Sequence, residues 1–151
     1  MSDKISFRSS ITKGTQQKIN CKTNNGKTGY KITKFQILPS DIESGANEAA
    51  MKIYKKSQGV SPTVTTVIDF SDGTLLAAAM FLRDQATVAT TSDVVIFDNE
   101  IFNQNIFITY ADGQGSATSA NYYLELERIK LTDAQATEST LKNLRTIVEN
   151  D

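Results

Sequence analysis

Asn121-Tyr122-Tyr123-Leu124-Glu125-Leu126-Glu127-Arg128-Ile129-Lys130-Leu131 is the stretch whose period decides the fold class. Tyr122, Leu124 and Leu126 fall on one side of an extended chain, and Glu125 and Glu127 on the other. That is the period-two pattern of a strand buried on one face. Past Arg128 the apolar phase moves to Ile129 and Leu131, which asks for a bulge or for a strand leaving its sheet. Glu125 and Glu127 read as the solvated or partner-facing side of this strand, not as a catalytic carboxylate pair.

Toward the C-terminus, Thr132 and Gln135 make a capping box, so a helix begins there. Ala134, Leu141, Leu144 and Val148 form its apolar stripe, interrupted by Thr137, with Glu138 four residues before Lys142. So narrow a stripe either covers one open end of a sheet or meets another subunit. Packing on its own domain is the default.

Toward the N-terminus, Ile106, Ile108 and Tyr110 are one face of a strand that ends at Asp112-Gly113-Gln114-Gly115. This Gly-x-Gly lacks a third Gly, a following helix and a Lys-Ser/Thr partner, so it reads as a hairpin tip and not a phosphate loop. Val94–Phe97 is a short strand closed by Asp98-Asn99. The alanine-rich run Leu75–Leu82 is short and follows Asp72-Gly73, which favours a strand buried on both faces over a helix. Val64–Phe70 is β-branched strand material that Asp72-Gly73 turns into Thr74-Leu75-Leu76. Met51 and Ile53 alternate with Lys52 in a strand that leaves Tyr54 on its outer face. Ile19 and Cys21, then Asn25-Gly26, then Tyr30 and Ile32 read as a β-hairpin, because Asn-Gly accepts the positive φ such turns need. Phe35 and Ile37 continue on the opposite phase, which asks for a bulge or a sharp bend near Thr33-Lys34. Ile5, Phe7 and Ile11 at even spacing predict an extended, docked segment.

Roughly eight to ten short strands separated by turn signals, with one terminal helix, predict an all-β fold. The expected architecture is a jelly-roll-like antiparallel β-sandwich with an extended N-terminal arm and one C-terminal α-helix. Residues 1–16 would be the basic arm, 17–131 the sandwich, and 132–151 the helix packed on the sandwich or on a neighbour.

Charge divides the chain unevenly. Eight of the sixteen Lys and Arg residues lie between Met1 and Lys34 against one acid, Asp3, giving +7, while the remainder carries −8. Such asymmetry points to a binding face on a mildly acidic body. With no His and one Cys, His/Cys metal sites and every Ser-His-Asp or Cys-His triad are excluded. No catalytic motif, metal site or cofactor is expected. Cys21 alone permits no intrachain disulfide and fits a reducing compartment. The longest apolar run, Leu75–Leu82, is too short to span a bilayer, and the opening Met1-Ser2-Asp3-Lys4 has no apolar signal core.

Three stretches carry a resemblance: Gly29-Tyr30-Lys31-Ile32 running into Lys34-Phe35-Gln36-Ile37, the segment Asn121–Glu127, and Ala136-Thr137 with Thr140-Leu141 and Leu144-Arg145. Together they resemble the small virion structural proteins of tailed bacteriophages, especially those of marine bacteria (cyanophage-like). The resemblance implies a capsid-associated β-sandwich, a decoration or cement subunit in the virion, with its own copies and a major capsid protein as partners. The candidate partner surface is then Ile5, Phe7, Arg8, Ile11 and Lys13 of the arm, Tyr54, and Leu141 and Leu144 of the helix. A glycan- or receptor-binding β-sandwich of a phage tail or fibre is the alternative, with Tyr54 and Tyr123 as its outward aromatics. Nucleic-acid binding is disfavoured because few aromatics interleave with the lysines, and neither a membrane nor a small-molecule substrate is expected.

Overall fold

Each strand of the protein is set by where its alternating apolar residues find cover. A computed structural model describes residues 3–23, 25–41, 45–59, 63–83, 90–97, 99–114 and 118–149, with the side chains of 143–149 outside the description. The elements are β1 (Lys4–Thr12), β2 (Thr15–Ile19), β3 (Thr28–Pro39), β4 (Asn47–Tyr54), β5 (Leu75–Arg83), β6 (Thr90–Ile96), β7 (Ile106–Asp112), β8 (Ser119–Lys130) and α1 (Asp133–Glu149). They form two antiparallel sheets, ordered β1-β8-β3 and β2-β7-β4-β5-β6, packed as a sandwich. The pairs β1–β8, β2–β7 and β4–β5 are those of one long ribbon doubled back on itself and then wrapped. That order is compatible with a jelly roll, although β6 stays hydrogen-bonded to β5 and not to β3.

β8 is the middle strand of the smaller sheet, and its period holds as read. Leu124 and Leu126 are fully buried and Tyr122 nearly so, while Glu125 and Glu127 stay on the outer face. Burying each leucine is worth roughly 1.5–3 kcal/mol. Opposite it, β3 carries the bulge: its register steps from Ile32↔Leu126 to Lys34↔Glu125. Thr33 is the extra residue, and its hydroxyl donates to the Glu125 carbonyl over 3.1 Å. The bulge lets Ile32 and Phe35, an odd number apart, both reach the core. From the other sheet, Met51, Ile53, Leu76, Ile106 and Ile108 fill the same interior.

Leu75–Leu82 is strand, within β5, and its first five residues are buried on both faces. Three other expectations are corrected. Asn25-Gly26 does not close a hairpin, because β2 pairs with β7 and β3 with β8, in different sheets. Facing each other across the core buries both apolar rows, which a two-stranded ribbon cannot do. Gly26 keeps the positive φ of 66° expected of it, but in a crossing. There Asn105 Oδ1 accepts from the Cys21 and Lys22 amides at 2.9 Å each. Asp112-Gly113 likewise leads from β7 to β8 in the opposite sheet, and is no hairpin tip; Gly115 lies outside the described residues. Val64–Phe70 is not a strand, since Val67, Ile68 and Phe70 are all exposed and the segment lies across the outer face of the larger sheet.

The opening segment is an integral strand. β1 pairs with β8 from Lys4↔Glu127 to Thr12↔Ser119. The chain then turns at Lys13-Gly14, with Gly14 at φ 79°, and enters the second sheet as β2. Strand pairing therefore runs through the boundary expected at residue 16.

At the C-terminus the capping box is reciprocal: the Gln135 amide donates to Thr132 Oγ1 over 3.2 Å, and the Thr132 amide to Gln135 Oε1 over 2.9 Å. α1 meets the body through Ala136 and Thr140. Both touch Asn103, whose buried Nδ2 donates to the Ala136 carbonyl at 3.2 Å, Thr140 Oγ1 at 3.0 Å and the Gly26 carbonyl at 3.0 Å.

Candidate functional site

The basic segment supplies the edge of the smaller sheet, and period two divides its residues between two faces. Ile5 and Phe7 are half-buried against the core and Ile11 is 1% exposed, so within the chain these three pack on the sandwich interior. The outer face holds Lys4, Ser6, Arg8 and Ser10. Lys13 is half-buried at the corner, where its amide donates to the Thr118 carbonyl over 2.8 Å. Arg8, Ser10, Gln36, Leu38, Asn121 and Tyr123 line a shallow hollow of about 470 Å³ on this face.

Three of the eight basic residues of the first thirty-four meet carboxylates within the chain. Lys4 pairs with Glu125 at 3.2 Å, Lys31 with Glu127 at 3.6 Å, and Lys27 with Asp133 at 2.9 Å. The Lys4 ammonium holds the Glu125 carboxyl below its usual range. Lys34 sits 5.9 Å from the centre of the Tyr123 ring. Pairs this exposed contribute little stability, because solvent screens them.

Tyr54 is on the outer face of β4 as read, but it is covered and only 8% exposed. Described parts of the connection between β4 and β5, Gln58 and residues 63–72, lie over it. Sequence period reports the side of a strand, not what is later laid across it. Beneath this cover is a cavity of about 150 Å³ lined by Lys52, Tyr54, Thr109, Asp69 and Asp72, among others. Lys52 and Thr109 are directly opposite each other in the β4–β7 ladder, and Gln16 of β2 stands on the other side of Thr109. Gln16 anchors the near part of the connection, accepting from the Gln58 amide over 2.7 Å and donating to Ser57 Oγ over 3.2 Å.

Lys52 is 4% exposed, and its ammonium donates to the Val67 carbonyl oxygen over 2.6 Å. Among the described residues it forms no ion pair with a carboxylate. Burial pulls its pKa below 10.5, partly opposed by the charge of Asp72. Burial first, and then Asp72 and Asp69, push the Tyr54 hydroxyl up to about 12. Thr109 is 1% exposed, and its hydroxyl has no hydrogen-bond partner among the described residues. A buried hydroxyl left without a partner costs about 1–3 kcal/mol, so the cavity is polar by construction. Lys52 reads in sequence only as the polar residue that alternates with Met51 and Ile53, and Thr109 gives no signal at all. The length of the 55–74 connection was the available clue.

On α1 the described part of the stripe read from sequence, Ala134 and Leu141, does not face the body. Ala134 is exposed and Leu141 is 59% exposed. Leu144 and Val148 fall outside the described side chains. The helix is instead held by Asn103 and by Glu100, which accepts from buried Lys55 at 3.0 Å and from Lys142 at 3.4 Å. Asn103 follows Phe102 in an irregular stretch, so no periodicity marks it.

The chain matches no family model and no curated protein. Among the described residues no helix is long and apolar enough to cross a membrane, and no cluster of His, Cys, Asp and Glu is arranged to hold a metal ion.

Proposed function

We propose that this protein is a non-enzymatic virion structural subunit, a capsid decoration or cement protein that joins its own copies and a major capsid protein through sheet-edge contacts. The observation that supports this reading is the state of β1. It is a nine-residue strand that, among the described residues, is hydrogen-bonded along one side only, to β8. An edge of that length is a template for another chain. Its hinge is Lys13-Gly14, with glycine in the left-handed region. Exchange of β1 onto the β8 of a second copy remakes the Lys4–Glu125 pair and the seats of Ile5, Phe7 and Ile11. The exchanged and closed forms then differ in free energy mainly at the hinge. Arg8 and exposed Leu141 remain available for the shell itself. The glycan reading keeps Tyr123 but loses Tyr54 as an exposed platform.

The test is a cysteine pair at Ser6 and Glu125, opposite each other in the β1–β8 ladder, in a Cys21→Ser background. Exchange between copies gives covalently linked dimers or higher species on a non-reducing gel, and light scattering gives an oligomeric mass. A monomeric mass with the disulfide closed only within each chain removes strand exchange as the mechanism. Sedimentation with phage shells stripped of accessory proteins tests the partner.

A further inference from the structure

The geometry points to the outer face of the smaller sheet, between Arg8 and Leu38, as a binding site for a sugar ring that carries a carboxylate. The site stands apart from the assembly proposal, because β1 sets Arg8 beside Tyr123 whether it pairs within the chain or with the β8 of a second copy. The ladders lay out two rows of three on this face: Arg8, Tyr123 and Gln36, then Ser10, Asn121 and Leu38. Neighbours in a row stand about 4.8 Å apart, and the two rows are roughly 7 Å apart. The hollow they frame, about 470 Å³, lies within the roughly 300–1,000 Å³ of small-molecule clefts. It is open and shallow, which suits a ring that lies flat with its substituents spread around it.

Charge selects the anion. On this face Lys4 and Lys31 are paired with Glu125 and Glu127, and Lys34 lies against the Tyr123 ring. Arg8 is exposed, and among the described residues its guanidinium has no carboxylate, hydrogen-bond acceptor or aromatic ring against it. A planar guanidinium takes a carboxylate through two parallel N–H···O bonds. The rest of the face selects the sugar. Gln36 and Asn121 are exposed, and their side-chain amides make no hydrogen bond among the described residues. Each amide offers a donor beside an acceptor, which two neighbouring ring hydroxyls can use together. Tyr123 is half-buried in the middle strand, and its hydroxyl donates to Glu125 Oε2 over 3.3 Å. Glu125 and Lys34 belong to the next row, on the side of Tyr123 away from the hollow. The tyrosine ring, with Leu38 at 64% exposed, then supplies the apolar surface for the C–H face of a sugar. A sheet face presents no backbone groups of its own, so an acidic peptide would leave its N–H and C=O groups to these few side chains.

The test is a titration of the ¹⁵N-labelled full chain with glucuronate, galacturonate and N-acetylneuraminate, with glucose and galactose as neutral arms and acetate as the charge-only arm. The expected result is saturable shifts at the Arg8, Gln36, Asn121 and Tyr123 amides with at least one acidic sugar, at an affinity on the order of 1 mM. The neutral sugars and acetate should each bind about tenfold more weakly or worse, because each keeps only half of the contacts. Arg8→Gln should bring the acidic sugar down to the level of the neutral ones. Tyr123→Ala should weaken it about tenfold, and Tyr123→Phe, which keeps the ring, should retain it. The spectral dispersion of each variant reports that it is folded. Equal binding of neutral and acidic sugars overturns the assignment, as does acetate binding as tightly as the acidic sugar, which would leave a bare carboxylate site. The absence of saturation by every acidic sugar overturns it, and so does undiminished binding by a folded Arg8→Gln or Tyr123→Ala chain.

Discussion

The Lys52 ammonium and the Val67 carbonyl, 2.6 Å apart, join the middle of the larger sheet to the segment that covers it. The contact is local, and one end of it is a carbonyl of an exposed residue that water can serve instead. Replacing Lys52 by Met removes a charge that burial penalises, so the global cost is small. The folded-state pKa of Lys52 lies below 10.5. Between the two values the unfolded chain holds a proton that the folded chain has released, so this group makes stability rise with pH there. Below both values, where both states are charged, the wild type carries the full penalty. Lys52→Met should therefore match or exceed wild-type stability in urea at pH 7, by up to about 1 kcal/mol, and the advantage should shrink as pH approaches 10.5. Chymotrypsin cleavage after exposed Phe70 should quicken in the variant, because its tether is gone. A loss above about 2 kcal/mol would mean that the lysine holds the sheet and not only the cover.

Asn103 is the latch of the helix. Its amide serves Gly26, Ala136 and Thr140, and nothing else among the described residues bonds those carbonyls or that hydroxyl from the sandwich side. Asn103→Ala leaves a void and strips these acceptors, so α1 should lose most of its amide-exchange protection while β8 keeps its own. The global cost should be about 2–3 kcal/mol. Leu141→Ala, on the exposed stripe, should stay within about 0.5 kcal/mol of wild type. Equal losses from the two substitutions would mean that the helix is held by its stripe after all.

Thr33 separates two ways of shortening a strand. It is the extra residue of the bulge, so deleting it leaves Ile32 opposite Leu126 and Lys34 opposite Glu125. Every inward residue of β3 stays inward. Deleting Gln36, an ordinary ladder position, makes one half of β3 slip by a residue and turns its apolar row outward. The Thr33 deletion should give soluble, cooperatively folding protein that loses about 1–2 kcal/mol, chiefly the hydroxyl bond to Glu125. The Gln36 deletion should give insoluble or non-cooperative material. Circular dichroism and urea midpoints of the two deletions decide the matter.

These residues also show which parts of the molecule were legible in the sequence. The bulge was legible because an odd spacing between Ile32 and Phe35 has few extended solutions. The strand β8 and the Thr132–Gln135 box were legible because their signals are local in the chain. Asn25-Gly26 and Asp112-Gly113 were not, because turn chemistry dictates φ and is silent on which sheet the next strand joins. Lys52 and Tyr54 were placed on the correct face, and Tyr54 was given the wrong exposure. Their cover, Val64–Phe70, is itself β-branched and reads as one more strand. The charge imbalance of the first thirty-four residues was real, yet its main partners, Glu125, Glu127 and Asp133, lie in the same chain.

Cys21 and Tyr54 set the alkaline limit of the fold. Burial pushes the Cys21 thiol from 9.0 up to about 12 and Tyr54 from 10.0 up to about 12, and it also raises Tyr110 and Tyr122. For each group the folded state keeps a proton that the unfolded chain gives up at lower pH. Their contribution is thus fully present below pH 9 and is lost as pH rises toward 12. Stability in urea should be flat with respect to these groups up to pH 9 and should fall steadily beyond it. Tyr54→Phe removes one of these protons without emptying the space the ring fills, so its decline between pH 10 and 12 should be shallower than that of the wild type. The same burial keeps the thiolate scarce. Iodoacetamide at pH 8 should leave native Cys21 unmodified and label it at the rate of global unfolding when urea is added. Rapid labelling of the native chain would show that the space between β2 and β3 opens without unfolding.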